Sequence, residues 1–270
     1  MTISIARIIR GMMRVKIMTD PSKIRTIVWF SAGAASAVAE KLTLAQTDAI
    51  LVYTDPGSEH PDNQRFISDC EKWFKQEVIQ LKSSEYKDTW DVWESKNYLV
   101  GPVYSPCTTE LKKRLRFAFE RPTDIQVFGY TMEEENRANR FREQNPGVDL
   151  RTPLIERGLS KSDCLAMVER AGIELPAMYR LGFANANCVG CPKGGKGYWN
   201  RIRRVFPETF DRMAKLERHI GATIFRENNE PLWLDTLSPT AGRDDEPAIE
   251  CSLLCLIAED DLNTENDQSK

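Results

Sequence analysis

The clearest pattern in the chain is a run of β-branched and aromatic residues, Thr26, Ile27, Val28, Trp29 and Phe30. It breaks into Ser31, Ala32 and Gly33, and an alanine-rich segment then reaches Leu44. This predicts a strand, a tight turn and a helix. Ile50 to Thr54 predicts a second strand ending at Asp55, Pro56 and Gly57, Val78 to Leu81 a third, and Ile125 to Gly129 a fourth. Between them, Phe66, Ile67, Cys70, Trp73 and Phe74 fall at helical spacing, which places Cys70 in the core. Trp90, Val92 and Trp93 mark a further helical packing segment. Thr131 with Glu134 three residues on forms a capping box for a helix carrying Glu135, Arg137 and Arg140. Ser160 caps another amphipathic helix, with Asp163 in its first turn and Cys164 inside it, closed by Gly172. Phe210, Met213 and Leu216 continue a helix that ends near His219, and beyond Asp235 the chain is turn-rich and acidic.

Strands alternating with helices predict an α/β fold, a Rossmann-like parallel sheet with flanking helices, followed by a cysteine-rich C-terminal extension. The expected organisation is an N-terminal extension over 1–23, a nucleotide-binding domain over 24–180, a cysteine-rich region over 181–258 and a disordered acidic tail over 259–270. The 270 residues, 41% of them hydrophobic, suffice for a substantial core. A net charge of -3 argues against a general polyanion binder. No apolar run is long enough to span a bilayer, so the expectation is a soluble, cytoplasmic protein with no membrane partner. Arg7, Arg10, Arg14 and Lys16 precede the first acid, Asp20, which can look like a transit peptide, yet a clear signal-peptide core and cleavage site are missing; the expected reading is a frayed extension, or a start placed too early given Met12, Met13 and Met18. The odd count of seven cysteines suits a reducing compartment and metal or redox chemistry better than a disulfide framework.

The turn at Ser31 to Ser36 is the first candidate site. Small side chains before a helix N-terminus let an anion approach successive backbone N–H groups, which makes a phosphate cradle. Asp55, at the carboxyl end of the neighbouring strand, is placed to meet a ribose or an adenine edge, or else serves as a turn former. Arg137 is the phosphate or sulfate contact expected from its helix, with a surface ion pair as the alternative.

The cysteines make the second site. Cys188, Val189, Gly190, Cys191 and Pro192 place two thiols on one tight turn, able to chelate one metal. Cys107, near a predicted helix start and followed by Lys112, Lys113, Arg114 and Arg116, is a third candidate ligand, and Cys251 or Cys255 a fourth, with Cys255 preferred. An iron-sulfur cluster is the favoured reading of the pair; structural zinc, a redox dithiol and reduced core cysteines stay open beside it. Next to it, Lys193, Lys196, Arg201, Arg203 and Arg204 surround Tyr198 and Trp199. That mixture can bind phosphate and stack on a base, or form a solvated helix face.

The order Ser31, Ala32, Gly33, Ala34, Ala35, Ser36 resembles the pyrophosphate loop, Ser-Gly-Gly-x-Asp-Ser, of the adenine nucleotide alpha hydrolase-like superfamily, within it the phosphoadenosine phosphosulfate (PAPS) reductase family. Ala32 stands for a glycine, and Ala35 for the aspartate of the ATP-cleaving branch. The resemblance extends through Asp55, Gly57, Glu59 and Pro61, the Cys107 to Lys113 segment, and Pro176, Tyr179, Gly182, Cys188 and Cys191. It implies an adenine nucleotide, ATP or PAPS, on Ser31, Gly33, Ala34 and Ser36, with Asp55 and Arg137 beside it. It also implies a [4Fe-4S] cluster on Cys107, Cys188, Cys191 and Cys255, and a thiol electron donor. The reaction it implies is reduction of a phosphosulfate. The glutamate-cysteine-glycine tail of such reductases is missing, Glu250 with Cys251 being a partial echo. The alternatives are an adenylating, ATP-dependent sulfurtransferase acting on nucleic acid, or a nucleotide-binding protein without catalysis.

Overall fold

The computed structural model describes residues 23–101, 104–243, 246 and 249. The predicted N-terminal extension up to residue 22, the acidic tail, Cys251 and Cys255 lie outside them. In chain order the elements begin with β1 (Thr26–Phe30), α1 (Ala34–Leu44), β2 (Ile50–Asp55), α2 (Asp62–Phe74), β3 (Ile79–Lys82) and α3 (Thr89–Lys96). A helical run follows, made of α4 (Pro106–Thr108), a π-wound stretch (Thr109–Lys113) and α5 (Arg114–Phe119). Then come β4 (Ile125–Val127), α6 (Glu135–Gln144), β5 (Asp149–Arg151), α7 (Lys161–Arg170), α8 (Ala177–Arg180), α9 (Lys196–Val205) and α10 (Pro207–Ile220). A hairpin of β6 (Phe225–Glu227) and β7 (Glu230–Leu232) completes the list. No helix among the described residues is long and apolar enough to cross a membrane.

The chain divides into two compact units. The first comprises 23–55, 61–85 and 112–176, the second 56–60, 86–111 and the residues from Ala177 onward. In the first, five parallel strands take the order β3-β2-β1-β4-β5, the arrangement of a Rossmann-like α/β sheet. A parallel sheet covered on both faces needs strands apolar on both sides, which is why β1 and β2 are nearly continuous hydrophobic runs. Val28, Phe30, Leu51 and Tyr53 pack with Ala37, Val38, Phe66, Cys70, Cys164 and Val168 of α1, α2 and α7. Alanines in α1 let it lie close to the strands. On the opposite face Trp29 meets the ring of Phe119 edge-on at 6.2 Å, and its indole N–H donates to Gln126 Oε1 at 2.6 Å. The fourth strand stops at Val127, two residues short of the expected end, and Asp149–Arg151, which carries no strand signal in the sequence, forms the edge strand.

Two buried ionisable groups are handled in opposite ways. Arg25 and Asp124, at the amino-terminal ends of β1 and β4, form a two-point ion pair: Arg25 Nε donates to Asp124 Oδ1 at 2.8 Å and Nη2 to Oδ2, while the Arg121 N–H also donates to Oδ2. Glu40, on α1, is fully buried, and neither carboxylate oxygen has a hydrogen-bond partner. Burial therefore raises its pKa well above the usual carboxylate value and keeps the folded chain's Glu40 protonated.

In the second unit, Trp90 and Trp93 of α3, Trp199 and Ile202 of α9, and Phe210 and Met213 of α10 form a separate core with Leu234 and Leu237. The hairpin turns on Asn228 and Asn229, both at positive φ (51° and 67°), the conformation that suits a two-residue connection between right-twisted strands. Glu217 ties it down: its buried carboxylate accepts the N–H groups of Ile224 and Leu234 at 2.6 and 2.7 Å.

Asp124→Ala strands the Arg25 guanidinium and should cost about 3–5 kcal/mol in urea unfolding. Glu40→Met should have the opposite sign and depend on pH. Below about pH 4.5, folded and unfolded chains both carry a neutral Glu40. Above it the unfolded chain ionises while the folded one stays protonated, so wild-type stability falls as pH rises towards the folded pKa. The advantage of Glu40→Met over wild type should therefore grow between pH 4.5 and 7.5 to about 1 kcal/mol or more, measured by urea unfolding across that range.

Candidate functional site

β1 ends at Phe30, and the next three residues turn the chain into α1. Ser31 is exposed, Ala32 takes a left-handed backbone (φ 52°), and Gly33 is the extended N-cap residue. The loop closes on one hydroxyl. Ser36 Oγ accepts from the Ser31 N–H at 3.1 Å and from Ser31 Oγ at 3.0 Å, and donates to the Gly33 carbonyl at 2.9 Å. Among the described residues no side chain caps α1, and its first turn contains no acid. The loop thus ends in a helix start whose amides meet neither a capping group nor a repelling carboxylate, a geometry favourable to an anion.

The second wall comes from the segment after β4. A Cβ placed on Gly129 would lie 2.7 Å from Ser36 Cα and 2.9 Å from its N, so only glycine lets this backbone rest on the first turn of α1. β1 and β4 are neighbours whose following segments leave in different directions, which is the switch point where an α/β sheet opens a crevice at the carboxyl ends of its strands. The sequence pattern predicts Gly129 as the end of the fourth strand, whereas it lies beyond β4; its local signal is the Gly-Tyr-Thr step immediately ahead of a capping box.

Past Gly129, Thr131 and Glu134 form the predicted capping box. Arg137 lies over the Tyr130 ring at 5.2 Å and donates to Glu134 Oε1 at 2.6 Å. Asp55 stands at the carboxyl end of β2, two residues beyond the partner of Phe30, and pairs with Lys82 of β3 at 2.7 Å. The structure therefore gathers Ser31, Gly33, Ala34 and Ser36 into one loop, sets Asp55 on the adjacent strand end, and puts Arg137 on the helix after β4.

The cysteine turn belongs to the second unit. Cys188 and Cys191 are buried, and Gly190 between them takes φ 80°. Tyr198 Oη accepts the N–H groups of Gly190 and Cys191, each at 3.0 Å, and donates to the Cys188 carbonyl at 3.3 Å. Burial raises the Tyr198 pKa, with the nearby Cys191 adding to it, so the phenol stays protonated and keeps its donor. Cys107 lies on α4, its sulfur 3.4 Å from Ser105 Oγ. Among the described residues no group of three or more His, Cys, Asp or Glu side chains could hold a metal ion. Cys188 and Cys191 thus offer half of a four-thiolate site, and the amides that could brace a cluster sulfur are committed to Tyr198.

The basic segment differs from its expected role as a stacking surface. Trp199 is wholly buried, and Tyr198 turns its hydroxyl into the cysteine turn. Arg203 lies over Phe210 at 4.2 Å and donates to the Leu237 carbonyl, while Lys196 pairs with Glu227. The aromatics pack the second core because they fall on the apolar face of α9, a periodicity masked in the sequence by the intervening cations.

Fold and loop together define a Rossmann-like α/β protein with an anion-cradle geometry at the switch point of its sheet. No protein-family model and no curated protein matches the chain. Among solved structures it is similar to a phosphoadenylyl-sulfate (PAPS) reductase from Candida auris in complex with phosphate, at 11% identity and a TM-score of 0.46, over 62% of this chain and 82% of that one.

Gly129→Val should cost about 1–3 kcal/mol, because the facing atoms are backbone and cannot yield as a flexible side chain would. Thermal unfolding and amide exchange at Ala34 to Ser36 would report it; an unchanged loop would remove the close-contact account.

Proposed function

We propose that the first unit binds an adenine nucleotide with its phosphates on Ser31, Gly33, Ala34 and Ser36, and that the protein performs sulfur chemistry of the PAPS reductase kind. In this reading Asp55 is the group on the ribose side, freed from exposed Lys82 when the nucleotide enters, and Arg137 is the cation nearest the terminal phosphate or sulfate. One observation carries the choice of substrate: the first turn of α1 has Ala35 where an ATP-cleaving loop has aspartate, and it holds no other acid. A loop without that carboxylate suits a phosphosulfate, which needs positioning and neutralisation, better than metal-assisted cleavage of ATP.

The adenylating sulfurtransferase reading is weaker, since the aromatics that would stack on a nucleic acid are core residues. A four-thiolate centre on Cys188 and Cys191 would take its other ligands from Cys107, Cys251 and Cys255. It would supply electron-transfer chemistry as iron-sulfur, or a structural clamp as zinc.

Calorimetric titration with PAPS, adenosine 3',5'-bisphosphate and magnesium ATP tests the proposal. The two 3'-phosphorylated nucleotides should bind in the micromolar range, at about −8 kcal/mol, and Gly129→Val should weaken them at least about tenfold, a loss of about 1.4 kcal/mol. Sulfite release from PAPS with a dithiol donor should follow. Pyrophosphate release from ATP would replace reduction by adenylation, binding without turnover would leave a nucleotide-binding protein, and no binding would end the proposal.

A further inference from the structure

The N-terminus of α9 is closed by a carboxylate from far along the chain. Glu246 Oε1 accepts the Gly197 N–H at 2.7 Å, and Oε2 accepts the Tyr198 N–H at 3.0 Å. The site is shaped for close approach. A Cβ on Gly195 would lie 2.4 Å from Glu246 Oε2, one on Gly197 would lie 2.1 Å from the Arg243 carbonyl, and one on Gly242 would lie 2.0 Å from the Gly197 nitrogen. Gly197 and Gly242 thus let the two stretches of backbone meet, and Gly195 leaves room for the Glu246 carboxylate. Three residues past Glu246, the Ile249 carbonyl accepts from Asn185 Nδ2 at 3.2 Å and Asn187 Nδ2 at 2.9 Å, the latter one residue before Cys188.

Tyr198 joins the two ends of this arrangement. Its backbone N–H holds Glu246, and its hydroxyl holds the amides of Gly190 and Cys191 and the carbonyl of Cys188. A shift of the first turn of α9 consequently moves the group that shapes the cysteine turn. An ionised carboxylate at a helix N-terminus makes charge-assisted hydrogen bonds and meets the positive end of the helix dipole, so the latch is stronger than a neutral contact of the same geometry.

We propose that Glu246 is a latch: by fixing the first turn of α9 it holds Tyr198 on the Cys188–Cys191 turn and keeps these two thiols shielded from oxidants and alkylating agents. Glu246 acts through Tyr198 and is a positioning residue. The latch stands whether or not the first unit binds a nucleotide.

The test is alkylation of the reduced, full-length protein with N-ethylmaleimide, followed at each cysteine by peptide mass spectrometry. Cys70 and Cys164, buried in the first core, report opening of the first unit, and amide exchange along α10 reports opening of the second. E246K places a cation at the helix start and should speed modification of Cys188 and Cys191 by about tenfold or more, with Cys70 and Cys164 unchanged. E246Q, which keeps an acceptor but loses the charge, should give a smaller rise. Y198F, which leaves the helix start intact and removes the hydroxyl, should reproduce the E246K rates. Wild-type rates at Cys188 and Cys191 in E246K, or rates in both E246K and the milder E246Q that rise only in step with Cys70 and Cys164 or with exchange along α10, would overturn the latch.

Discussion

The contact between Gly129 and the first turn of α1 is the constraint on which the first unit depends. Hydrogen bonding between β1 and β4 fixes the two strands in register, but it ends at Val127, and the chain beyond is free to diverge. It diverges only as far as the missing Cβ allows. With Gly129 against Ser36, the Ser36 hydroxyl is held where it can take both the N–H and the hydroxyl of Ser31, and the left-handed turn at Ala32 is locked between strand and helix. An alanine at φ 52° costs about 1–2 kcal/mol relative to glycine, and it persists here because its methyl is buried and its neighbours are pinned on both sides.

How far the sequence discloses this depends on whether local pattern or long-range contact decides an element. β1 and β2 are legible because strands buried on both faces must be apolar throughout, and the capping boxes at Thr131 and Ser160 are legible because their chemistry lies within four residues. β5 is not, since Asp-Leu-Arg has one buried side chain and owes its extended form to pairing with β4. The hairpin at Asn228 and Asn229 does carry a local signal, two residues tolerant of positive φ between short strands, obscured by charged flanks. At the candidate site the loop is legible and its second wall is not. The need for glycine at 129 arises from a residue 93 positions away. Tyr198 is a similar case: cations on either side suggest a surface, whereas its hydroxyl is fixed by amides of the cysteine turn.

Buried charge in the first unit shows two answers to one cost. Arg25 and Asp124 cancel each other through paired hydrogen bonds and, with the Phe119 carbonyl and the Arg121 amide, fix where β4 starts. Glu40 has no such partner and keeps its proton, which makes it a neutral acid among alanines and the Cys70 thiol. The first solution specifies register, because a shift of β4 would separate the pair. The second specifies nothing visible in the described structure, and it burdens the folded state more as pH rises.

The same contrast sorts the cysteines. Burial pushes the Cys164 thiol up to about 12 and raises Cys70 further, so both are inert apolar fillers of the first core at neutral pH. Cys188 and Cys191 are buried to a similar degree but lie on a turn whose amides face a protonated phenol, next to a helix start held by a carboxylate. Depth alone therefore does not divide the cysteines here. What sets Cys188 and Cys191 apart is the turn that holds them: its amides are fixed by the Tyr198 hydroxyl, the Tyr198 ring meets Phe183 edge-on at 5.5 Å, and the Tyr198 N–H is held by Glu246, so the turn answers both to packed side chains and to one hydrogen-bonded carboxylate.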